Sequence, residues 1–201
     1  MRSNTSKMRL AVIGMALASV LLWASSAHAQ TGGLNPGGTT SPPASSSPPP
    51  SSTTTPTAPP GRARLTKSGT AIPPADAPPQ VVAAINAGNQ IRTLPYKWGG
   101  GHKSFFDSGY DCSGAVSYVL YGAGLIESPM PSGPLASSWG TFGRGRWITV
   151  YANSSHAYMV VAGLRFDTSA VGEKLNQGSG PRWRATKRKP AGYTAKYYPS
   201  L

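Results

Sequence analysis

Hydrophobic residues recur at helical spacing in two segments of the chain. In the first segment, 78–91, the apolar residues Val81, Val82 and Ile85 follow two prolines. This predicts a short helix that ends near Gly88. In the second segment, 112–124, apolar residues occupy positions i, i+3, i+4 and i+7, one face of a helix: Val116, Val119, Leu120 and Ala123. A glycine-rich loop with little periodicity separates the two predicted helices.

Three β-rich runs follow: Trp147–Tyr151, His156–Val161 and Leu164–Thr168. Turn formers at 153–155 and a two-residue turn at 162–163 separate them, which predicts an antiparallel meander. Two helices followed by a meander indicate an α+β fold.

The N-terminal segment 1–29 has the composition of a signal peptide. Basic residues precede an apolar run from Leu10 to Trp23, and small residues at Ala27–Ala29 offer a cleavage site. The run is short for a membrane-spanning helix. We therefore expect a secreted, extracellular protein.

Residues 30–74 are predicted to be a disordered linker. Within 31–60 there is no charged side chain, and 22 of the 30 residues are Pro, Ser or Thr. Such a segment buries too little apolar surface to offset its ordering entropy. The folded part is then expected to be one domain, 75–201, ending in a basic tail.

The chain is strongly basic, with a formal net charge of +13. Much of the excess lies in the predicted tail: Arg182, Arg184, Lys187, Arg188 and Lys189. A basic surface indicates an anionic partner, which outside the cell is an anionic wall polymer or a membrane surface. Nucleic acid fits poorly with export, and a merely solvated basic surface stays open as an alternative.

Cys112 is the only cysteine of the chain, so it forms neither an internal disulfide nor a cysteine-rich zinc site. The alternatives are a buried thiol, an intermolecular bridge or a reactive nucleophile. Asp111 stands at the N-cap position, which places Cys112 in the first turn of the second predicted helix. Backbone N–H groups there stabilise a thiolate, which favours the nucleophile.

A nucleophilic cysteine needs a base, usually a histidine. The register of the predicted meander puts His156 and Asp167 on the same face as diagonal neighbours, so that the carboxylate orients the imidazole. His102 lies in the glycine-rich loop, where we expect it to face solvent or substrate.

The segments "PYKWGGG" and "DSGYDCSGAVSYVLYGAGL" resemble the nucleophile region of the NlpC family of papain-like bacterial cell-wall cysteine peptidases. The resemblance covers about 78–170. It implies a papain-like fold in which the nucleophile helix packs on the antiparallel sheet, and it needs no metal or cofactor.

The resemblance also implies residue roles. Cys112 matches the nucleophile, His156 the base and Asp167 the orienting residue, where many members have histidine. Tyr96 matches an oxyanion and substrate contact. Asp111 and Ser113 match positions that hold the free amino end of a stem peptide.

The implied function is hydrolysis of peptidoglycan stem peptides by a monomeric, cell-wall-associated D,L-endopeptidase that cuts between γ-D-glutamate and the diamino acid. Two alternatives remain open: a wall-binding protein without turnover, and an N-acetylmuramoyl amidase of the same broad fold.

Overall fold

A computed structural model describes residues 59–171 and 179–201. The predicted signal peptide and most of the predicted linker, up to residue 58, lie outside the described residues. The helices are α1 (Pro79–Ile91), α2 (Cys112–Gly122) and α3 (Ser132–Ser137). The strands are β1 (Arg64–Leu65), β2 (Ala71–Ile72), β3 (Thr141–Phe142), β4 (Ile148–Ala152), β5 (Ala157–Val161), β6 (Leu164–Asp167), β7 (Arg182–Arg184) and β8 (Thr194–Tyr197).

The main sheet is antiparallel and has the strand order β3-β8-β4-β5-β6-β7. Helix α2 packs on one face of it, where the apolar side chains of α2, β5 and β6 form a continuous core. Val119, Leu120, Met159, Val161 and Phe166 are all buried there. The predicted α+β class, with the nucleophile helix packed on an antiparallel sheet, is confirmed.

The predicted meander has the expected register. Val161 pairs with Leu164 and Met159 with Phe166 across β5 and β6. Ala162 and Gly163 both have positive φ, 45° and 83°, as a two-residue hairpin turn that follows the strand twist requires. Side chains alternate between the two faces of a strand. Asp167 therefore lies with Arg165 on the face away from α2, whereas His156 directly precedes β5, at the end of the sheet where α2 begins.

The end of α1 differs from the prediction, because the helix continues past Gly88 to Ile91. A Cβ atom on Gly88 would lie only 2.4 Å from Cζ2 of Trp183. Glycine is therefore needed here for the close approach of β7, and it does not end the helix.

The folded part begins before the predicted boundary, and the predicted basic tail belongs to the main sheet. Residues 64–72, placed in the linker by composition, form the β1–β2 pair, and Ala71 and Ile72 are buried. Asn89 of α1 holds this pair by exchanging two hydrogen bonds with the backbone of Ala71. The predicted basic tail supplies strands β7 and β8 of the main sheet. The linker boundary at residue 74 and the description of the C-terminus as a tail are both corrected.

We expect Gly114→Ala to lower the free energy of unfolding by about 1–3 kcal/mol, the usual cost of overpacking. A Cβ atom there would lie 2.0 Å from the carbonyl oxygen of Gly100, which is backbone and cannot rotate away. Urea denaturation measures the difference. The matched control is Gly133→Ala in α3, where a Cβ atom meets nothing within 4 Å. If the two variants lose equal stability, the close loop–helix contact does not constrain position 114.

Candidate active site

Helix α2 begins at Cys112, and its N-cap is Asp111 as predicted. The Gly114 N–H donates to Oδ1 of Asp111 at 2.8 Å, and the Gly99 N–H donates to Oδ2 at 3.2 Å. These bonds tie the glycine-rich loop to the start of the helix. The half-buried Cys112 thiol therefore has a fixed position at the positive end of the helix dipole.

His156 directly precedes β5 and is held by its backbone and its ring. Its N–H donates to Oδ1 of Asn153 at 2.9 Å, within the turn after β4. Its Nε2 lies 3.0 Å from Oδ1 of Asp167, which is 2% exposed. The Ser169 N–H also donates to that carboxylate oxygen, at 2.8 Å. Since Nε2 faces Asp167, Nδ1 is the nitrogen available for proton transfer with the thiol.

The pKa values indicate a charged pair at this site. Burial raises the pKa of the Cys112 thiol, but hydrogen bonds from His156 and the Ala157 N–H, together with the imidazolium charge, bring it below its ordinary value. Burial lowers the pKa of His156, but bonding to Asp167 and Cys112 outweighs this and raises it to about 9. Burial raises the pKa of Asp167, but its hydrogen bonds to His156 and to the Ser169 N–H outweigh this and bring it below its ordinary value. Near neutral pH this arrangement favours thiolate, imidazolium and carboxylate.

His102 is tied to the cap of α2. Its Nε2 lies 2.9 Å from Oδ2 of Asp111 and 3.0 Å from Oγ of Ser113. Asp111 and Ser113 are themselves buried, and the Ser113 hydroxyl donates to Asp111. The structure therefore brings the two predicted substrate contacts together at the N-terminus of α2, where both contact His102.

Tyr96 lies at the edge of the site, where its backbone forms an isolated β-bridge with the backbone of Tyr110. Burial raises the pKa of its hydroxyl, and the nearby charges of Cys112 and Asp111 raise it further. The predicted oxyanion contact thus lies within electrostatic range of the thiol, with 39% of the side chain exposed.

Arg188 is a site residue that sequence reasoning missed. Its Nη1 donates to Oδ2 of Asp167 at 3.1 Å, and its Nη2 donates to the Tyr193 hydroxyl at 2.7 Å. Its guanidinium also lies over the rings of Tyr158 and Tyr193, 5.4 and 5.3 Å from their centroids. No periodicity or motif marks this position, because Arg188 reaches Asp167 only through the fold of the C-terminal strands.

The prediction that five basic residues of the C-terminal segment form a surface for an anionic wall polymer is corrected in part. Arg182 Nη1 donates to the carbonyl oxygens of Arg92 and Leu94, at 2.7 and 3.1 Å. Arg184 is 1% exposed, and its Nε donates to the Asp167 carbonyl. These two arginines and Arg188 bond to groups of the folded domain itself, and only Lys187 and Lys189 of the five are exposed.

Two absences hold for residues 59–171 and 179–201. No group of three or more His, Cys, Asp or Glu side chains is arranged to bind a metal ion. No helix in this part is both long and apolar enough to cross a membrane.

We expect Arg188→Met to lower turnover roughly 10- to 150-fold, the cost of losing a hydrogen bond to a charged group. Arg188 also helps to lower the pKa of Asp167. Its loss therefore raises that pKa, and the acidic limb of the pH–rate profile moves to higher pH. Arg188→Lys restores part of both effects, whereas Lys189→Gln, an exposed neighbour, changes neither. A loss of rate with an unmoved acidic limb would mean that Arg188 only supports the fold.

No family model matches the chain, and no curated protein matches it significantly. Solved structures do show a likeness. The peptidoglycan hydrolase RipB from Mycobacterium tuberculosis is 24% identical, with 63% of this chain and 68% of that one covered and a TM-score of 0.45. The Resuscitation Promoting Factor Interacting protein RipA is 25% identical, with 59% and 62% covered and a TM-score of 0.43.

An NlpC/P60 family protein from Bacillus cereus is 20% identical, with 61% of this chain and 41% of that one covered and a TM-score of 0.44. This chain thus spans less than two thirds of RipA and of the Bacillus cereus protein. The structures it is similar to include the peptidoglycan hydrolase RipB and a member of NlpC/P60, the family that its nucleophile motif resembles.

Proposed function

We propose that the chain is an NlpC-type cysteine peptidase that hydrolyses an amide bond in peptidoglycan stem peptides. The observation that carries the proposal is the chain of contacts from Cys112 through His156 to Asp167, at the start of a helix. A protein that only binds the wall does not need a nucleophile, a base and an orienting carboxylate in contact. The sequence resemblance supplies the substrate class, which is also that of the hydrolase RipB.

In the first half-reaction the Cys112 thiolate attacks the carbonyl carbon of the scissile amide, forming a tetrahedral oxyanion. The Cys112 N–H, at the first helical position, has no acceptor within the helix and is available to the oxyanion. The Tyr96 hydroxyl is the second proposed donor. His156 then gives its proton to the leaving nitrogen, and the C–N bond breaks to leave a thioester.

In the second half-reaction the neutral His156 takes a proton from water as the water attacks the thioester. The carbon–sulfur bond breaks, the acid product leaves, and the Cys112–His156 pair is restored. Asp167 holds the ring orientation and stabilises the imidazolium in both steps, while remaining ionised itself.

We propose the bond between γ-D-glutamate and the diamino acid as the scissile bond. Asp111 and Ser113 are the proposed contacts for the free amino end of the stem peptide. The N-terminal sequence pattern supports export, so we propose that the enzyme acts outside the cell, on the wall.

Product analysis of digested peptidoglycan tests this proposal. We expect new amino ends on the diamino acid, and none with Cys112→Ala. Cuts at the lactyl amide would instead establish the amidase, and no cuts by a protein that still sediments with walls would establish a binder.

A further inference from the structure

The sheet face away from α2 carries a cavity of about 440 Å³. Its floor is formed by outward-facing side chains of β4, β5 and β6, including Tyr151, Tyr158 and Val160. The volume lies within the roughly 300–1,000 Å³ of typical ligand pockets. The cavity adjoins the candidate active site, since Tyr158 and Arg188 belong to the surroundings of both.

Six basic residues line this cavity: Arg62, Arg144, Arg146, Arg165, Lys187 and Arg188. No acidic residue is among the described residues that line it. Arg165 and Arg188 both lie close to Asp167, with nitrogen–oxygen distances of 3.6 and 3.1 Å. In the described part of the chain, the other four have no carboxylate partner within ion-pair distance.

Two of the basic groups lie over aromatic rings of the sheet. The rings of Tyr151 and Tyr158 stack at 4.9 Å on adjacent strands. The guanidinium of Arg144 lies 6.0 Å from the Tyr151 ring centroid, and that of Arg188 lies 5.4 Å from the Tyr158 centroid. Stacking on an aromatic face restricts a guanidinium and leaves its edge donors available to an anion.

We propose that this cavity is a binding site for an anion carrying two or more phosphate groups. Guanidinium groups match phosphate oxygens in bidentate geometry. The four basic groups that lack a carboxylate partner among the described residues exceed the charge of a single phosphate, about −1.5 to −2, which favours a ligand with several. Arg188 has five N–H donors, so it can meet such a ligand while it stays bonded to Asp167.

Two sources supply this chemistry: the phosphodiester backbone of a wall polymer, and a soluble oligophosphate. The site does not depend on the proposed peptidase activity. It changes the basic surface predicted from sequence, because Lys187 and Arg188 of the C-terminal cluster line the cavity together with four arginines from elsewhere in the chain.

Isothermal titration of the whole chain with tripolyphosphate tests the proposal. We expect saturable binding that weakens with salt, since screening shortens the range of charge attraction. The double variant Arg144→Gln/Arg146→Gln is expected to weaken it at least tenfold. The control Arg64→Gln/Lys67→Gln removes the same charge from two exposed residues that do not line the cavity, and is expected to bind as the parent does.

Equal weakening in the two double variants, or equal heats with sulfate at matched ionic strength, would overturn the site. Unchanged thermal melting shows that the variants are folded. If poly(glycerol phosphate) displaces bound tripolyphosphate at a lower phosphate concentration than tripolyphosphate itself needs to bind, the wall polymer is the ligand source. If it does not displace tripolyphosphate, the soluble oligophosphate is the source.

Discussion

Cys112→Ala and His156→Ala are each expected to abolish nearly all hydrolysis of stem peptides, a loss on the order of 10⁴–10⁶-fold. The first removes the nucleophile, and the second removes the group that stabilises the thiolate and protonates the leaving amine. Because the two act as one unit, the double variant is expected to lose little more than either single variant. Steady-state turnover of a soluble stem peptide measures all three.

His102→Ala is the matched control, since His102 is the other histidine of the described part of the chain. Its ring bonds to Asp111 and Ser113 and not to the thiol, so a mild effect is expected. Circular dichroism must first show each variant folded. An inactive His102→Ala beside an active His156→Ala would show that the base has been assigned to the wrong histidine.

Asp167→Asn is expected to lower turnover roughly tenfold to 10⁴-fold, because the carboxylate orients and stabilises the imidazolium without touching the substrate. The bond to Asp167 is a main reason that the pKa of His156 rises to about 9. Losing it lowers that pKa, so the alkaline limb of the pH–rate profile moves to lower pH. The full pH–rate profile of the variant measures both effects.

Asp76→Asn is the control for Asp167. Asp76 is exposed and accepts a hydrogen bond from the Gly61 N–H, away from the site. We expect it to change neither rate nor profile. An Asp167→Asn profile that keeps its alkaline limb would contradict the proposed role.

The local pattern of the sequence predicted the elements that carry Cys112, His156 and Asp167. Asp111 as N-cap and the two-residue turn at 162–163 are decided by residues that lie side by side in the chain, so their geometry follows from sequence. The helix α2 and the β5–β6 register, and hence the proximity of His156 to Asp167, are confirmed for that reason.

Other features depend on residues distant in the chain. Gly88 looked like a helix end because its packing partner, Trp183, lies on β7. Arg188 looked like part of a solvated tail because its contact with Asp167 requires the C-terminal strands to be in place. Composition placed 64–72 in the linker, since two short strands leave almost no periodic signal.

The pH dependence of Cys112 alkylation by iodoacetamide tests the central claim most directly. Only the thiolate reacts. When the alkylation rate is plotted against pH from about pH 5 to about pH 10, the midpoint of the curve is therefore the thiol pKa. We expect a midpoint below the ordinary thiol range in the parent protein and a higher one in His156→Ala, where burial acts without the imidazolium. Equal midpoints in the two proteins would contradict a thiolate–imidazolium pair at Cys112 and His156.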